Sequence, residues 1–217
     1  MSTRKALIVG STGLIGSYCL QTLLNDPAYP EVTAIIRKPI LTTHRKLKTV
    51  ITDFTDLEKD LSNIQVDDVF CCLGTTIKKA GSQDAFKQID FSLVVSIAEI
   101  MRRKGAEQFL VISSMGADPN STVFYSRIKG EMEKSLQQLD YPCLRIIRPY
   151  LLLVDREEFR LGERIGVLLT PRLKPLMIGS LKKYRPVEAE SVAKFMVKVA
   201  QEEPISGVHI YESDMIG

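Results

Sequence analysis

Short apolar runs rich in β-branched residues alternate with helical segments along most of this chain, and that alternation narrows its possible folds more than any other feature. The runs are Ala6-Leu7-Ile8-Val9, Val32 to Ile36, Thr49-Val50-Ile51, Val69 to Leu73, Phe109 to Ile112, Cys143 to Ile147 and Val208 to Tyr211. Between them, apolar residues recur at helical spacing over Leu14 to Leu24, Asp84 to Arg103, Val123 to Leu139 and Glu188 to Gln201. A strand that is apolar at every position is covered on both faces, as in a parallel sheet flanked by helices. The pattern therefore predicts an α/β, doubly wound parallel sheet with helices on both faces and right-handed crossovers.

The rhythm breaks after residue 150. Asp155 to Glu163 is charged, and Pro171, Pro175 and Pro186 punctuate the residues between it and the last helical segment. No linker separates this stretch from the rest. The expectation is one domain over residues 1–217, with 150–187 as a small substrate lobe over the carboxyl ends of the last strands.

Composition removes several classes of function. The 217 residues are 45% hydrophobic and carry 29 Lys+Arg against 26 Asp+Glu, a net charge of +3, so neither disorder nor a nucleic-acid surface is indicated. No apolar run reaches the roughly 18–20 residues that span a bilayer, so no membrane partner is expected. Met1 to Lys5 lead straight into the first apolar run without a secretory pattern. Cys19, Cys71, Cys72 and Cys143 form no CxxC pair and the only histidines are His44 and His209, so no metal site is expected. The cysteines read as small buried hydrophobes of a reducing, cytoplasmic setting. Adjacent Cys71 and Cys72 should face opposite sides of the sheet.

Gly10-Ser11-Thr12-Gly13-Leu14-Ile15-Gly16 follows the first strand and opens the first helix. In that context a glycine triad reads as a dinucleotide-binding loop of Rossmann type. Glycines allow the tight turn, the approach of backbone to pyrophosphate and close packing of helix on strand. The helix N-terminus offers free N–H groups and a positive dipole end to the phosphates. NAD-binding loops of this kind place an acid after the second strand, for the ribose hydroxyl. Here Arg37 and Lys38 stand there, and cations at that point favour a 2′-phosphate, hence NADP over NAD.

Tyr125 and Lys129 are spaced i, i+4 on a predicted helix, one turn apart on one face. A nearby ammonium favours the phenolate, so such a tyrosine can give a proton to a carbonyl oxygen or take one from an alcohol. Ser113 and Ser114 end the preceding strand, where a hydroxyl can hydrogen-bond the same substrate. The gap to Tyr125 fits either serine, and in extended chain the two point to opposite faces.

These features together resemble the atypical short-chain dehydrogenases/reductases, and within them the chain is similar to the Tat-interacting-protein-2-like oxidoreductases. The resemblance is carried by Cys71-Cys72-Leu73-Gly74-Thr75-Thr76, Ser113-Ser114 with Gly116-Ala117-Asp118, Tyr125 to Glu131, Arg148-Pro149, Leu151-Leu152 and Asp155-Arg156. It implies that Gly10 to Gly16 hold the pyrophosphate of NADP, and that Arg37 and Lys38 hold its 2′-phosphate. It also places Asp53 near the adenine and Leu73, Gly74 and Thr75 along the cofactor. Leu152 and Arg160 match cofactor-contacting positions. Tyr125 and Lys129 become catalytic, with Lys129 also on the nicotinamide ribose. One departure stands out: the core family carries an Asn on the helix after the fourth strand, and Asp90 stands at about that place here.

Two functions compete on this reading. The first is an NADP-dependent oxidoreductase that passes hydride between NADP(H) and a small-molecule carbonyl or alcohol. The second is a non-catalytic NADPH-binding regulator or scaffold with a protein partner or a second copy of itself. The Tyr125/Lys129 pair favours the enzyme, because a sensor has no physical need of it.

Overall fold

The computed structural model describes residues 3–150, 152–153, 187–202 and 206–216. Its strands are β1 (Lys5–Val9), β2 (Glu31–Ile36), β3 (Leu47–Ile51), β4 (Asp68–Cys71), β5 (Gln108–Ile112), β6 (Cys143–Arg148), β7 (Leu152–Leu153), β8 (Val187–Glu188) and β9 (Gly207–Glu212). Its α-helices are α1 (Leu14–Asn25), α2 (Leu57–Asp60), α3 (Ile77–Ala80), α4 (Gln83–Lys87), α5 (Leu93–Arg103), α6 (Phe124–Gln137) and α7 (Ala189–Gln201). Each apolar run of the sequence is a strand, within a residue or two at its ends. The run from Val69 ends at Cys71 rather than Leu73, although Cys72 still donates its N–H to the Val9 carbonyl at 2.9 Å.

Seven strands form one sheet in the order β3-β2-β1-β4-β5-β6-β9, every neighbouring pair parallel. β7 and β8 form a separate parallel pair. The chain runs outward from β1 to β3, then returns to the other side of β1 with β4. The reversal leaves a crevice beyond the carboxyl ends of β1 and β4, where Val9 lies level with Ile35 and Cys71. Ligands of doubly wound sheets occupy that crevice.

Each face of the sheet has its own apolar layer. Ala6, Ile8, Ala34 and Phe70 face one side with Cys19, Leu20 and Leu23 of α1 and Val192, Ala193 and Met196 of α7. Leu7, Val9, Val69, Cys71 and Val111 face the other, with Val94, Ile97 and Met101 of α5 and Met132 and Leu136 of α6. Cys71 and Cys72 thus separate between the two layers, as their adjacency requires. All four thiols are free.

One buried charge closes the sheet at its opposite, amino end. Asp68 opens β4 with no solvent exposure. It accepts two bonds from Arg4 at 2.7 and 2.8 Å, one from the Tyr29 hydroxyl at 2.8 Å and one from the Gln108 amide at 3.1 Å. Such a carboxylate is tolerated only because it is paired and its lone pairs are filled.

The long helix expected over Asp84 to Arg103 is present, with an interruption. α4 and α5 are joined by a π-helical turn over Gln88–Ser92, which carries Asp90 into the interior. A π turn adds a residue to the helix without breaking it, so apolar spacing does not reveal it. Nor does the spacing reveal α2 and α3, each being only 4 residues long. Asp56 and Thr76 cap them through side-chain oxygens that accept from the N–H of Lys59 and Lys79. The lobe expected at 150–187 lies outside the described residues, apart from residue 150, β7 and Val187.

Candidate active site

The glycine loop leaves β1 and turns directly into α1. Gly10 has a positive φ of 84°, which a side chain rarely tolerates. A Cβ at Gly10 would stand 2.6 Å from the Cys72 carbonyl oxygen, and one at Gly16 would stand 2.0 Å from the Gly10 carbonyl. These two glycines therefore let the loop lie against the end of β4 and let α1 fold back upon the loop. The Gly10 carbonyl also accepts from the Gly13 N–H at 3.0 Å. No side chain caps α1, and its first turn carries no acid. Ser11 is buried with its hydroxyl unpartnered. Thr12, Gly13 and Leu14 are exposed, while Ile15 and Gly16 are buried beneath them. An uncapped helix start, a free buried hydroxyl and a side-chain-free approach fit a pyrophosphate.

The other cofactor positions expected after β2, β3 and β4 follow the carboxyl ends of those strands, at the same edge of the sheet as the glycine loop. Arg37 and Lys38 directly follow β2 and are exposed. Asp53 follows β3, exposed, and its carboxylate accepts from the Thr55 hydroxyl at 2.6 Å and the Thr55 N–H at 2.9 Å. Those bonds hold it below the usual carboxylate range. Leu73, Gly74 and Thr75 follow β4, partly exposed or exposed, on the far side of the Gly10 turn. Leu152 lies in β7. Arg160 lies outside the described residues.

Tyr125 and Lys129 both fall on α6, as their spacing predicts. Tyr125 is half-buried, its ring 5.5 Å from that of Phe86 on α4. Lys129 is only 3% exposed. Its Nζ lies 2.8 Å from Asp90 Oδ1 and 3.4 Å from the Ile112 carbonyl oxygen. Burial disfavours this ammonium, but Asp90, aided by Tyr125, outweighs it, so Lys129 titrates above the ordinary lysine range. Cys71 also faces Lys129, and burial pushes its thiol up to about 12, leaving it neutral there.

The two serines part company. Ser113 is buried and donates to Glu133 Oε1 at 2.5 Å. Glu133, also buried, is clamped by Arg148 through bonds of 3.0 and 2.5 Å, and Arg148 reaches Glu212 on β9 at 3.0 Å. Ser113 thus belongs to the buried end of a network that links α6 to β6 and β9 through the partly exposed Arg148 and Glu212. Ser114 is half-buried, and its hydroxyl makes only a 3.3 Å bond to the adjacent Met115 carbonyl. Glu133 was missed in the sequence, although it continues the Tyr125, Lys129 spacing by one further turn. Gly130 was missed as a packing residue: a Cβ there would lie 2.2 Å from Pro119 N and 2.3 Å from the Asp118 carbonyl carbon. Its hydrogen lets the 114–120 loop lie flat on α6.

Among the described residues, no cluster of His, Cys, Asp and Glu could hold a metal ion, and no helix is long and apolar enough to cross a membrane.

Comparison with known proteins agrees with the fold and with its glycine loop being of dinucleotide-binding type. An NAD(P)H-binding family model matches residues 10–203. Protein HTATIP2 of Rattus norvegicus is 35% identical over 167 residues, covering 75% of this chain and 69% of that protein. The mitochondrial protein FMP52 of Candida albicans is 32% identical over 200 residues, covering 89% of this chain and 86% of that protein. Among solved structures, a short-chain dehydrogenase family protein of Francisella tularensis superposes with a TM-score of 0.67 at 15% identity over 99% of both chains. MoeE5, solved with UDP-glucuronic acid and NAD, gives 0.71 at 18% identity over 95% of this chain and 75% of its own. These two share the fold.

The relatives correct one expectation. The FMP52 proteins of Eremothecium gossypii, Scheffersomyces stipitis, Candida albicans and Debaryomyces hansenii are named mitochondrial, which overturns a cytoplasmic assignment. That assignment rested on reduced cysteines and the leading residues; free thiols report a redox state, not an address. Loop, crevice, family match and relatives agree, and the chain belongs to the NAD(P)H-binding family, in the atypical short-chain dehydrogenase/reductase-like group of HTATIP2 and FMP52.

Proposed function

We propose that the protein is an NADP(H)-dependent oxidoreductase that interconverts a carbonyl and an alcohol on a small molecule. The observation that carries this reading is the Tyr125/Lys129 pair, with a half-buried phenol one turn from a buried, charged ammonium. An ammonium in such a place is costly to bury and is not needed to fold a helix.

NADPH, when bound, supplies the hydride that reduces the substrate carbon. Tyr125 gives its hydroxyl proton to the carbonyl oxygen as that carbon is reduced, so hydride and proton together make the alcohol. Lys129 stabilises the phenolate left behind, and in the reverse direction the phenolate takes the proton from the alcohol. Ser114 donates a hydrogen bond to the same oxygen; Ser113, committed to Glu133, does not. Gly10 to Gly16 hold the pyrophosphate, and Arg37 and Lys38 pair with the 2′-phosphate by charge-assisted bonds.

The test is titration of the protein with NADPH and NADH, followed by a panel of aldehydes and ketones read at 340 nm. NADPH preference with turnover supports the reading. Tight NADPH binding without turnover on any carbonyl supports the regulator instead, and equal affinity for both dinucleotides removes the NADP assignment.

A further inference from the structure

Asp90 is an anomaly in this fold. A carboxylate with no solvent exposure sits in the only π turn among the described residues. Inserted turns of this kind are frequent at functional sites. The two oxygens of Asp90 divide their work. Oδ1 faces Lys129 Nζ at 2.8 Å, and Oδ2 accepts the Thr75 backbone N–H at 2.9 Å. One side chain therefore ties α6 to the loop after β4. An asparagine could accept from Thr75 equally well, but it would bring no charge to the lysine.

The surroundings of Lys129 make that charge decisive. Asp90 faces it from the π turn, Tyr125 from its own helix and Cys71 from β4, with the Ile112 carbonyl at the end of β5. Of these, Asp90 is the one carboxylate. A buried ammonium that loses its counter-charge sheds its proton instead of staying charged in a low-dielectric site.

We propose that Asp90 is a positioning residue, which keeps Lys129 charged on the Tyr125 face of α6 and links it to the Thr75 loop. Its place in catalysis rests on the oxidoreductase reading; its hold on Lys129 does not.

The test begins without cofactor. Protein with 13C-labelled lysine side chains is titrated by NMR, with the Lys129 signal assigned by its loss in Lys129→Met. In the native protein Lys129 titrates above the surface lysines. In Asp90→Asn it falls below them by about two pH units or more, as burial without an opposing charge supplies. A Lys129 that stays with the surface lysines or above them in Asp90→Asn overturns the proposal. NADPH affinity is then measured at pH 7.5 and 9.5. The native protein shows little change over that interval, while Asp90→Asn loses about tenfold or more at the higher pH. Identical pH dependence in both overturns the link to the cofactor site. If native protein fails to bind NADPH, the oxidoreductase reading falls, and the lysine titration still decides what Asp90 does. Should Asp90→Asn fail to fold, Asp90→Asn/Lys129→Met, which removes both charges, is compared with Lys129→Met. Equal NADPH affinity agrees with an effect carried through Lys129, and a further tenfold loss contradicts it.

Discussion

Replacing each serine in turn separates two roles that adjacent, chemically identical side chains hold. Ser113→Ala removes a buried donor 2.5 Å from Glu133 Oε1 and leaves the Arg148 bonds to that carboxylate in place. A hydrogen bond to a charged group contributes about 1.5–3 kcal/mol. For a chain of 217 residues the unfolding entropy is about 0.46 kcal/mol/K, so the melting temperature should fall by about 3–7 °C. Ser114→Ala removes a hydroxyl that is half-exposed and weakly bonded, so stability should change by no more than about 0.5 kcal/mol. Turnover should behave in the opposite way, unchanged within about threefold for Ser113→Ala and reduced about tenfold or more for Ser114→Ala, the loss of one hydrogen bond to the reacting oxygen. The assays are scanning calorimetry and NADPH oxidation on the best substrate of the carbonyl panel. The reasoning is refuted if Ser113→Ala melts like the native protein yet loses activity while Ser114→Ala keeps it.

Gly130→Ala should destabilise the fold by at least the roughly 1–3 kcal/mol of ordinary overpacking, because its Cβ meets backbone at 2.2 Å; denaturant unfolding checks this, and a neutral result removes the close packing of loop on helix. Arg37→Ala should weaken NADPH binding about tenfold to a hundredfold with little effect on NADH, the loss of one charge-assisted phosphate contact of about 1.5–3 kcal/mol. Equal losses for both dinucleotides would place Arg37 elsewhere. Burial pushes Cys71 up to about 12, so its thiolate fraction grows only as pH climbs toward that value. At pH 8 Cys71 should resist a thiol reagent in the native protein and react once unfolded, as peptide mapping of the labelled cysteine will show.

Much of this architecture is legible in the chain because parallel strands bury both faces and leave runs such as Ala6 to Val9 with no polar residue to mislead. The glycine loop is equally plain, since Gly10 and Gly16 answer steric needs that no other residue meets. What escapes the sequence is the choice among neighbours. Ser113 and Ser114 are told apart only by which face meets Glu133, a partner 20 positions away. The π turn at Gln88–Ser92 hides inside a run that reads as continuous helix, so the departure at Asp90 can be noticed but its partner cannot. The contact of Gly130 with Pro119 is of the same kind, settled by how a loop folds back on a helix rather than by any local pattern. Compartment escaped for another reason: an address is read by other machinery, and neither +3 of net charge nor four free thiols encodes it.

The central claim is that Tyr125 handles the proton of a carbonyl reduction, and Tyr125→Phe tests it most directly. The substitution removes one hydroxyl and keeps the ring against Phe86, so folding and NADPH binding should match the native protein. NADPH oxidation, measured beside NADPH titration on the same samples, should fall by about 10²–10⁴, the usual contribution of a general acid. Turnover that persists undiminished in Tyr125→Phe, with binding intact, contradicts the account.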